Sequence, residues 1–157
     1  MEKEMLQTAK EMEVLEFIIE GSSYGIDVND IREILNYEDK CTPVPNAHSN
    51  IEGIIMPRDF VITIIDLVKA LKLTKSDAGE SKRLIVTSIH DLNIAFYVDS
   101  ISGIHKISSG DITKPGKKLS TTAKDIIEGI LNISDSKIEL INFRKIFQGI
   151  NPEVNVG

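Results

Sequence analysis

At 157 residues and 41% hydrophobic composition, the chain can bury one ordinary core or two small subdomains that share one, which excludes a predominantly disordered segment. A net charge of -6, from 24 acidic against 18 basic residues, speaks against a nucleic-acid binder, whose footprint is a basic stripe, and leaves protein or small molecule as the partner class. The single cysteine, Cys41, excludes an internal disulfide framework, and no apolar run is long enough to span a bilayer. The opening MEKEMLQTAKEMEV mixes acids with apolar residues and lacks a signal-peptide core, so a cytoplasmic chain with no direct membrane insertion is expected.

Residues 1–12 read as an N-terminal arm. After it come apolar runs of five or six residues, rich in Ile and Val and broken by turn residues, which is the pattern of β-strands. In chain order they are VLEFII, YGID after Gly21-Ser22-Ser23, REILNY, IEGIIM and FVITII. Asp66 then stands before LVKALKL as the N-cap of a short helix. TKSDAGESK, about 74–82, is polar without apolar periodicity and reads as a linker. A second series follows: RLIVTSI, IAFYV after His90-Asp91-Leu92-Asn93, GIHKI, IIEGILNI and KIELI, closed by Asn142 before FRKIFQG.

The two series are copies of one unit. IEGI occurs at 51–54 and again at 127–130, and 51–71 aligns with 127–147 without a gap. Identities include Asp59 with Asp135, Ile62 with Ile138, Ile65 with Ile141 and Lys69 with Lys145. Upstream the match resumes at an offset of 70, pairing Leu15 with Ile85, Val28 with Val98, Ile31 with Ile101, Ile34 with Ile104 and Pro45 with Pro115. The difference between the offsets falls in KKLSTTAKD, a longer loop in the second copy. Such self-similarity means one structural unit used twice. A five-stranded sheet of about 65 residues is marginal alone and tends to curl into a small barrel, so an all-β fold is expected in which two barrels share an apolar interface. The first barrel takes about 14–73, the second about 83–148, and each is closed by a short helix.

Catalytic constellations do not emerge. His48, His90 and His105 are scattered without metal-ligand spacing, there is no Gly-rich phosphate loop, and Ser22-Ser23 and Ser108-Ser109 lack a nucleophile's context. Asp59 and Asp66 are explained as a turn residue and a helix cap, and Cys41 as an inert small residue. No enzyme, metal or cofactor is expected. The repeat supplies a different criterion: residues that make the fold should recur, while those that meet a partner need not. Gly53 and Gly129 recur, which marks a close backbone approach or a bulge. Arg58 does not recur, its counterpart being Ser134, and an arginine in a strand-to-strand turn is placed to meet a carboxylate.

The ordered run YGIDVNDIREI, TPVPN, IEGIIMPRD, VITIIDL, IAFYVDSISGI, ITKP, EGILNI and LINF resembles the CheW-like domain of bacterial chemotaxis, over roughly Met12 to Gln148. In Pro57-Arg58-Asp59, GIHKIS and the tail INPE it is similar to the N-terminal coupling domain of the CheV group. The resemblance implies two SH3-like barrels on a shared core, spanning 13–150. It also implies that 151–157 start a linker toward a receiver domain, the chain being either an excised coupling domain or a single-domain relative. The implied function is an adaptor without cofactor that links chemoreceptor cytoplasmic tips to the regulatory domain of the histidine kinase CheA, recruited to membrane receptor arrays through those partners. Ile31, Glu33 and Ile34 would lie on the kinase-facing surface, Arg58 would take part in coupling, and Val98 with Asp99 would border the inter-barrel groove that receives the receptor tip. With Gly53 from the repeated turn strand, these are the candidate partner-binding residues. The rival reading is a small-molecule sensor that uses the same groove as a pocket, against which the absence of Trp and the total of eight Phe and Tyr argue.

Overall fold

The computed structural model describes residues 10–36, 41–74, 83–115 and 124–150. The start of the N-terminal arm, most of the linker and of the longer second-copy loop, and the tail 151–157 lie outside the described residues. Among the described residues eleven strands run in chain order: β1 (Glu11–Ile19), β2 (Ser22–Asp27), β3 (Ile31–Leu35), β4 (Ile51–Ile55), β5 (Ile62–Ile65), β6 (Arg83–Ile89), β7 (Leu92–Val98), β8 (Ser100–Ser108), β9 (Ile112–Thr113), β10 (Ile127–Ile133) and β11 (Ser136–Ile141). Helix α1 (Leu67–Ala70) follows β5 and α2 (Phe143–Ile150) follows β11. Every expected strand is present, and the short β9 is an addition. Both expected caps form: Asp66 Oδ1 accepts from the Lys69 amide at 3.1 Å and Asn142 Oδ1 from the Lys145 amide at 3.2 Å.

The pairing of the strands corrects the assignment of one barrel to each half of the chain. One sheet has the order β8-β1-β2-β11-β10-β9 and the other β3-β6-β7-β5-β4. Each therefore takes its central hairpin from one copy and its flanking strands from the other. Under the sequence repeat, β8-β1-β2-β11-β10 maps strand for strand onto β3-β6-β7-β5-β4. The pseudo-twofold relates two sheets that have exchanged halves, so the repeat is real while its copies are not separate bodies. Short connections explain the exchange. A single 3-10 turn, Val28–Asp30, leads from β2 to β3, and the chain crosses there to the other sheet instead of folding back on its own hairpin.

The core explains why the strands read as continuous apolar runs instead of alternating ones. One face of both sheets meets in a shared cluster that includes Phe17, Ile19, Tyr24, Ile65, Ile85, Phe96, Ile141 and Phe143. Its aromatic spine passes from Tyr24 to Phe17 (ring centroids 6.2 Å apart), Phe96 (5.5 Å) and Phe143 (4.8 Å), crossing from one sheet to the other and onto α2. The opposite faces hold smaller clusters of their own, Ile55, Ile62, Ile64, Leu84 and Val86 in one sheet and Val14, Leu131, Ile138 and Leu140 in the other. These are repeat mates: Ile55 with Leu131, Ile62 with Ile138, Ile64 with Leu140 and Leu84 with Val14.

Both IEGI segments contain a bulge, with the register shifting between Ile51 and Gly53 and between Ile127 and Gly129. A Cβ on Gly53 would sit 2.5 Å from the Thr42 carbonyl oxygen, and one on Gly129 2.3 Å from Ile112 Cγ2. At each site the returning chain pairs with the strand, Thr42 with Ile54 and Thr113 with Ile130. The tetrapeptide is repeated because each copy must let another backbone cross its bulge at van der Waals distance.

Candidate functional site

The expected partner-binding residues divide between two surfaces. The first is built where β3, the β4–β5 loop and the start of β7 meet. A bulge in β3, where the register with β6 shifts between Ile31 and Glu33, leaves Arg32 unpaired in the ladder and exposed. Its Nη1 donates to Asn93 Oδ1, and its guanidinium carbon lies 4.6 Å from the centroid of the Phe60 ring. Arg58 approaches the same ring at 5.3 Å and forms an ion pair with Glu33 Oε1. Phe60 is half-buried and packs on the smaller cluster of its sheet, so the ring is a fixed plate for both cations. Ile34, on the opposite face of β3 from the ring, is 39% exposed, and Met56 and Val61, at the two ends of the loop, are 61% and 47% exposed.

The loop differs from its repeat counterpart more than the sequence suggested. In the second copy Ser134 and Asp135 both have positive φ, 47° and 66°, and form a tight two-residue hairpin. In the first copy the strands stop at Ile55 and Ile62, and Pro57 stands where Ile133 pairs with Ser136. Proline has no amide hydrogen for that ladder, so the hairpin opens into a wider loop that holds Arg58 outward and lays Phe60 on the smaller cluster of the sheet. Arg32 and Phe60 escaped the sequence reading, although its own criterion finds them: their repeat mates are Ser102 and Ser136.

Of the remaining candidates, Ile31 is half-buried against the shared core, and Gly53 is buried beneath Thr42, which accounts for it as a packing position. Val98 is corrected from a surface contact to a core residue, 1% exposed, because the end of β7 turns its side chain toward the inter-sheet cluster. Asp99 is partly exposed and is already engaged: its amide donates to the Ile18 carbonyl at 2.9 Å and its Oδ2 accepts from the Glu20 amide at 2.9 Å. It ties the β1–β2 turn of one sheet to the end of β7 in the other. The second surface is the groove there, lined by Ile19, Glu20, Glu52, Ile65, Tyr97 and Asp99. Its enclosed volume is about 20 Å³, room for a water and far below the several hundred Å³ of a small-molecule pocket. The sensor reading finds no support in it.

The repeat maps Tyr97, Glu20 and Glu52 of that groove onto Asp27, His90 and Glu128, and the sequence treats this second place differently. There α2 is eight residues long where α1 has four, and Arg144 Nη1 reaches Asp30 Oδ1 at 2.8 Å. Asn93 and Asp99, at the two ends of β7, put the arginine surface and the open groove about 20 Å apart along one strand.

Among the described residues no group of three or more His, Cys, Asp and Glu side chains could hold a metal ion, and no helix is long and apolar enough to cross a membrane. Burial raises the Cys41 thiol above its ordinary pKa, and the Glu52 carboxylate beside it adds to the effect, which suppresses the thiolate. Among the described residues, the candidates form contact surfaces.

Comparison with known proteins agrees with that character. The sequence profile of the CheW-like domain matches residues 13–151. The chemotaxis protein CheW of Thermotoga maritima is 30% identical over 128 residues, which is 80% of this chain and 83% of that one. The chemotaxis protein CheV3 of Helicobacter pylori is 27% identical over 141 residues, 83% of this chain and 45% of that one. The crystal structure of the scaffolding protein TtCheW from Thermoanaerobacter tengcongensis superposes with a TM-score of 0.78 at 26% identity, covering 94% of this chain and 97% of that one. Two exchanged sheets on one core and this agreement over nearly the whole length lead to one conclusion: the chain belongs to the CheW-like domain family, as a chemotaxis coupling adaptor.

Proposed function

We propose that the adaptor works by bivalence, with the surface of Glu33, Ile34 and Arg58 meeting the regulatory domain of the histidine kinase CheA and the groove at Asp99 receiving a chemoreceptor cytoplasmic tip. The observation that carries the reading is the division of the exposed candidates between two surfaces held at the two ends of β7. Holding both partners on one rigid body raises their effective concentration and lets the receptor state bias the kinase. The composition of the first surface fits a protein contact, since exposed apolar side chains beside arginine and an aromatic ring are what binding hot spots are made of. On this reading the protein acts at the cytoplasmic side of the membrane, recruited to receptor arrays by its partners.

The test is titration of the full chain with the kinase regulatory domain, alongside reconstituted receptor-dependent kinase control. Burial of Ile34 at an interface is worth on the order of 1.5–3 kcal/mol, so Ile34→Asp should weaken kinase binding by about ten- to a hundredfold while the melting temperature stays near wild type. Arg58→Ala should change stability by no more than about 0.5–1 kcal/mol, because its ion pair is exposed, and should reduce receptor-dependent control. Unchanged affinity in a folded Ile34→Asp variant would overturn the assignment of this surface.

A further inference from the structure

Arg32 lies on the same surface as Glu33 and Arg58 and has no part in their ion pair. It is the bulged residue of β3, so the backbone projects it off the ladder. It is then fixed twice, by the ring of Phe60 and by the side-chain oxygen of Asn93. Its neighbour Arg58 has a counter-ion in Glu33, whereas among the described residues no carboxylate forms an ion pair with Arg32. A guanidinium held in place by an aromatic face and a neutral acceptor has already lost much of its rotamer freedom, and it still has N–H donors of its planar fork to offer. Nothing in the fold requires this arrangement, because the repeat mate of Arg32 is Ser102 and that of Phe60 is Ser136, in a sheet with the same strand order. Exposed apolar side chains stand one position along the chain from Glu33, Phe60 and Asn93, namely Ile34, Val61 and Leu92, and strand alternation turns Ile34 and Leu92 to the opposite face of the sheet.

We propose that Arg32, stacked on Phe60 and steered by Asn93, is a specificity-determining carboxylate receptor of this surface, which takes an Asp or Glu side chain of the partner. The inference deepens the reading of this surface as kinase-facing and rests on it. Charge complementarity selects the occupant: a partner that covers this surface brings its acid to a guanidinium that, among the described residues, has no carboxylate, and a partner with a basic or neutral residue at that point leaves the guanidinium desolvated and unmatched.

The experiment is calorimetric titration of the full chain with the CheA regulatory domain at two salt concentrations, with a thermal melt of every variant. Arg32→Gln should weaken binding by about tenfold or more with an unchanged melt, and the affinity should become less sensitive to salt. Arg32→Lys keeps the charge and loses the planar fork, so it should recover part of the loss. Phe60→Leu, which keeps the apolar bulk, should weaken binding by about two- to fivefold. If Arg32→Gln and Phe60→Leu bind as wild type while Ile34→Asp is impaired, the proposal is wrong and the surface assignment stands. If Ile34→Asp is unimpaired as well, the surface assignment fails and takes the proposal with it.

Discussion

Glycines 53 and 129 occupy the same place in the repeat, yet different atoms oppose them. The obstacle above Gly53 is backbone, the Thr42 carbonyl, with Cys41 Sγ next at 2.8 Å, whereas above Gly129 it is the Cγ2 methyl of Ile112. Both Gly53→Ala and Gly129→Ala should therefore destabilise by about 1–3 kcal/mol through overpacking. In the double variant with Ile112→Ala much of the cost at Gly129 should return, because the offending methyl is gone, and no side-chain truncation should relieve Gly53 to the same extent. Chemical denaturation of the two singles and the double checks this, and equal failure of rescue at both sites would contradict it. Glu128, on the second bulge, bears on pH. Partial burial, with the Asp30 and Asp27 carboxylates beside it, raises its pKa above the ordinary value, against the opposing pull of Lys145 and Arg144. The folded state then holds a proton more tightly than the unfolded one, so this group makes stability fall as pH rises out of the carboxylate range. Glu128→Gln should raise the melting temperature at neutral pH, with the difference from wild type closing as pH drops below about 4, where both side chains are neutral. A lower melting temperature at pH 7 would show that its charge is stabilising.

At the scale of elements, turn chemistry separates what was legible from what was not. Three hairpins close through two residues of positive φ: Glu20-Gly21 (49° and 80°), His90-Asp91 (49° and 64°) and Ser134-Asp135 (47° and 66°). Only the first contains glycine, so the other two did not announce their tightness in the sequence, and wider turns were expected at 21–23 and 90–93. The β4–β5 loop is the exception, with no positive φ from Pro57 to Val61. Asn-Gly is the dipeptide most suited to two consecutive left-handed residues. Ser134→Asn with Asp135→Gly should therefore raise stability by up to about 1 kcal/mol. Arg58→Asn with Asp59→Gly should give no such gain, since that loop has no left-handed position for the glycine to relax. A comparable rise in both pairs, read in urea denaturation, would mean that the two turns share a conformation after all.

For the whole molecule, the exchange of strands makes the halves interdependent. Residues 10–74 hold the β1–β2 hairpin of one sheet and three strands of the other, and 83–150 hold the complement. The shared cluster draws Phe17 and Tyr24 from the first half and Phe96 and Phe143 from the second. Expressed separately, each half should lack a cooperative melt, because each of its sheets would be missing strands at its centre or flanks. Co-expressed, the two should assemble into a complex with the far-ultraviolet circular dichroism of the intact chain. A half that folds and melts cooperatively alone would restore the picture of consecutive barrels.

The sequence by itself determined the all-β class, the number of major strands, both helix caps, the internal duplication and the meaning of its glycines. Each of these is written in local periodicity, in cap and bulge chemistry, or in the comparison of one copy with the other. It also marked Arg58, since failure to recur needs no coordinates to be seen. The tertiary structure alone decided which hairpin joins which sheet, because a strand buried on both faces carries the same apolar run whichever neighbours it pairs with. It alone turned Val98 inward while leaving Ile34 exposed, although both belong to the same recurring apolar set. Arg32, Glu33, Arg58, Phe60 and Asn93 come from three segments separated by 25 to 61 residues, and only the crossing of the chain between the sheets brings them to one surface.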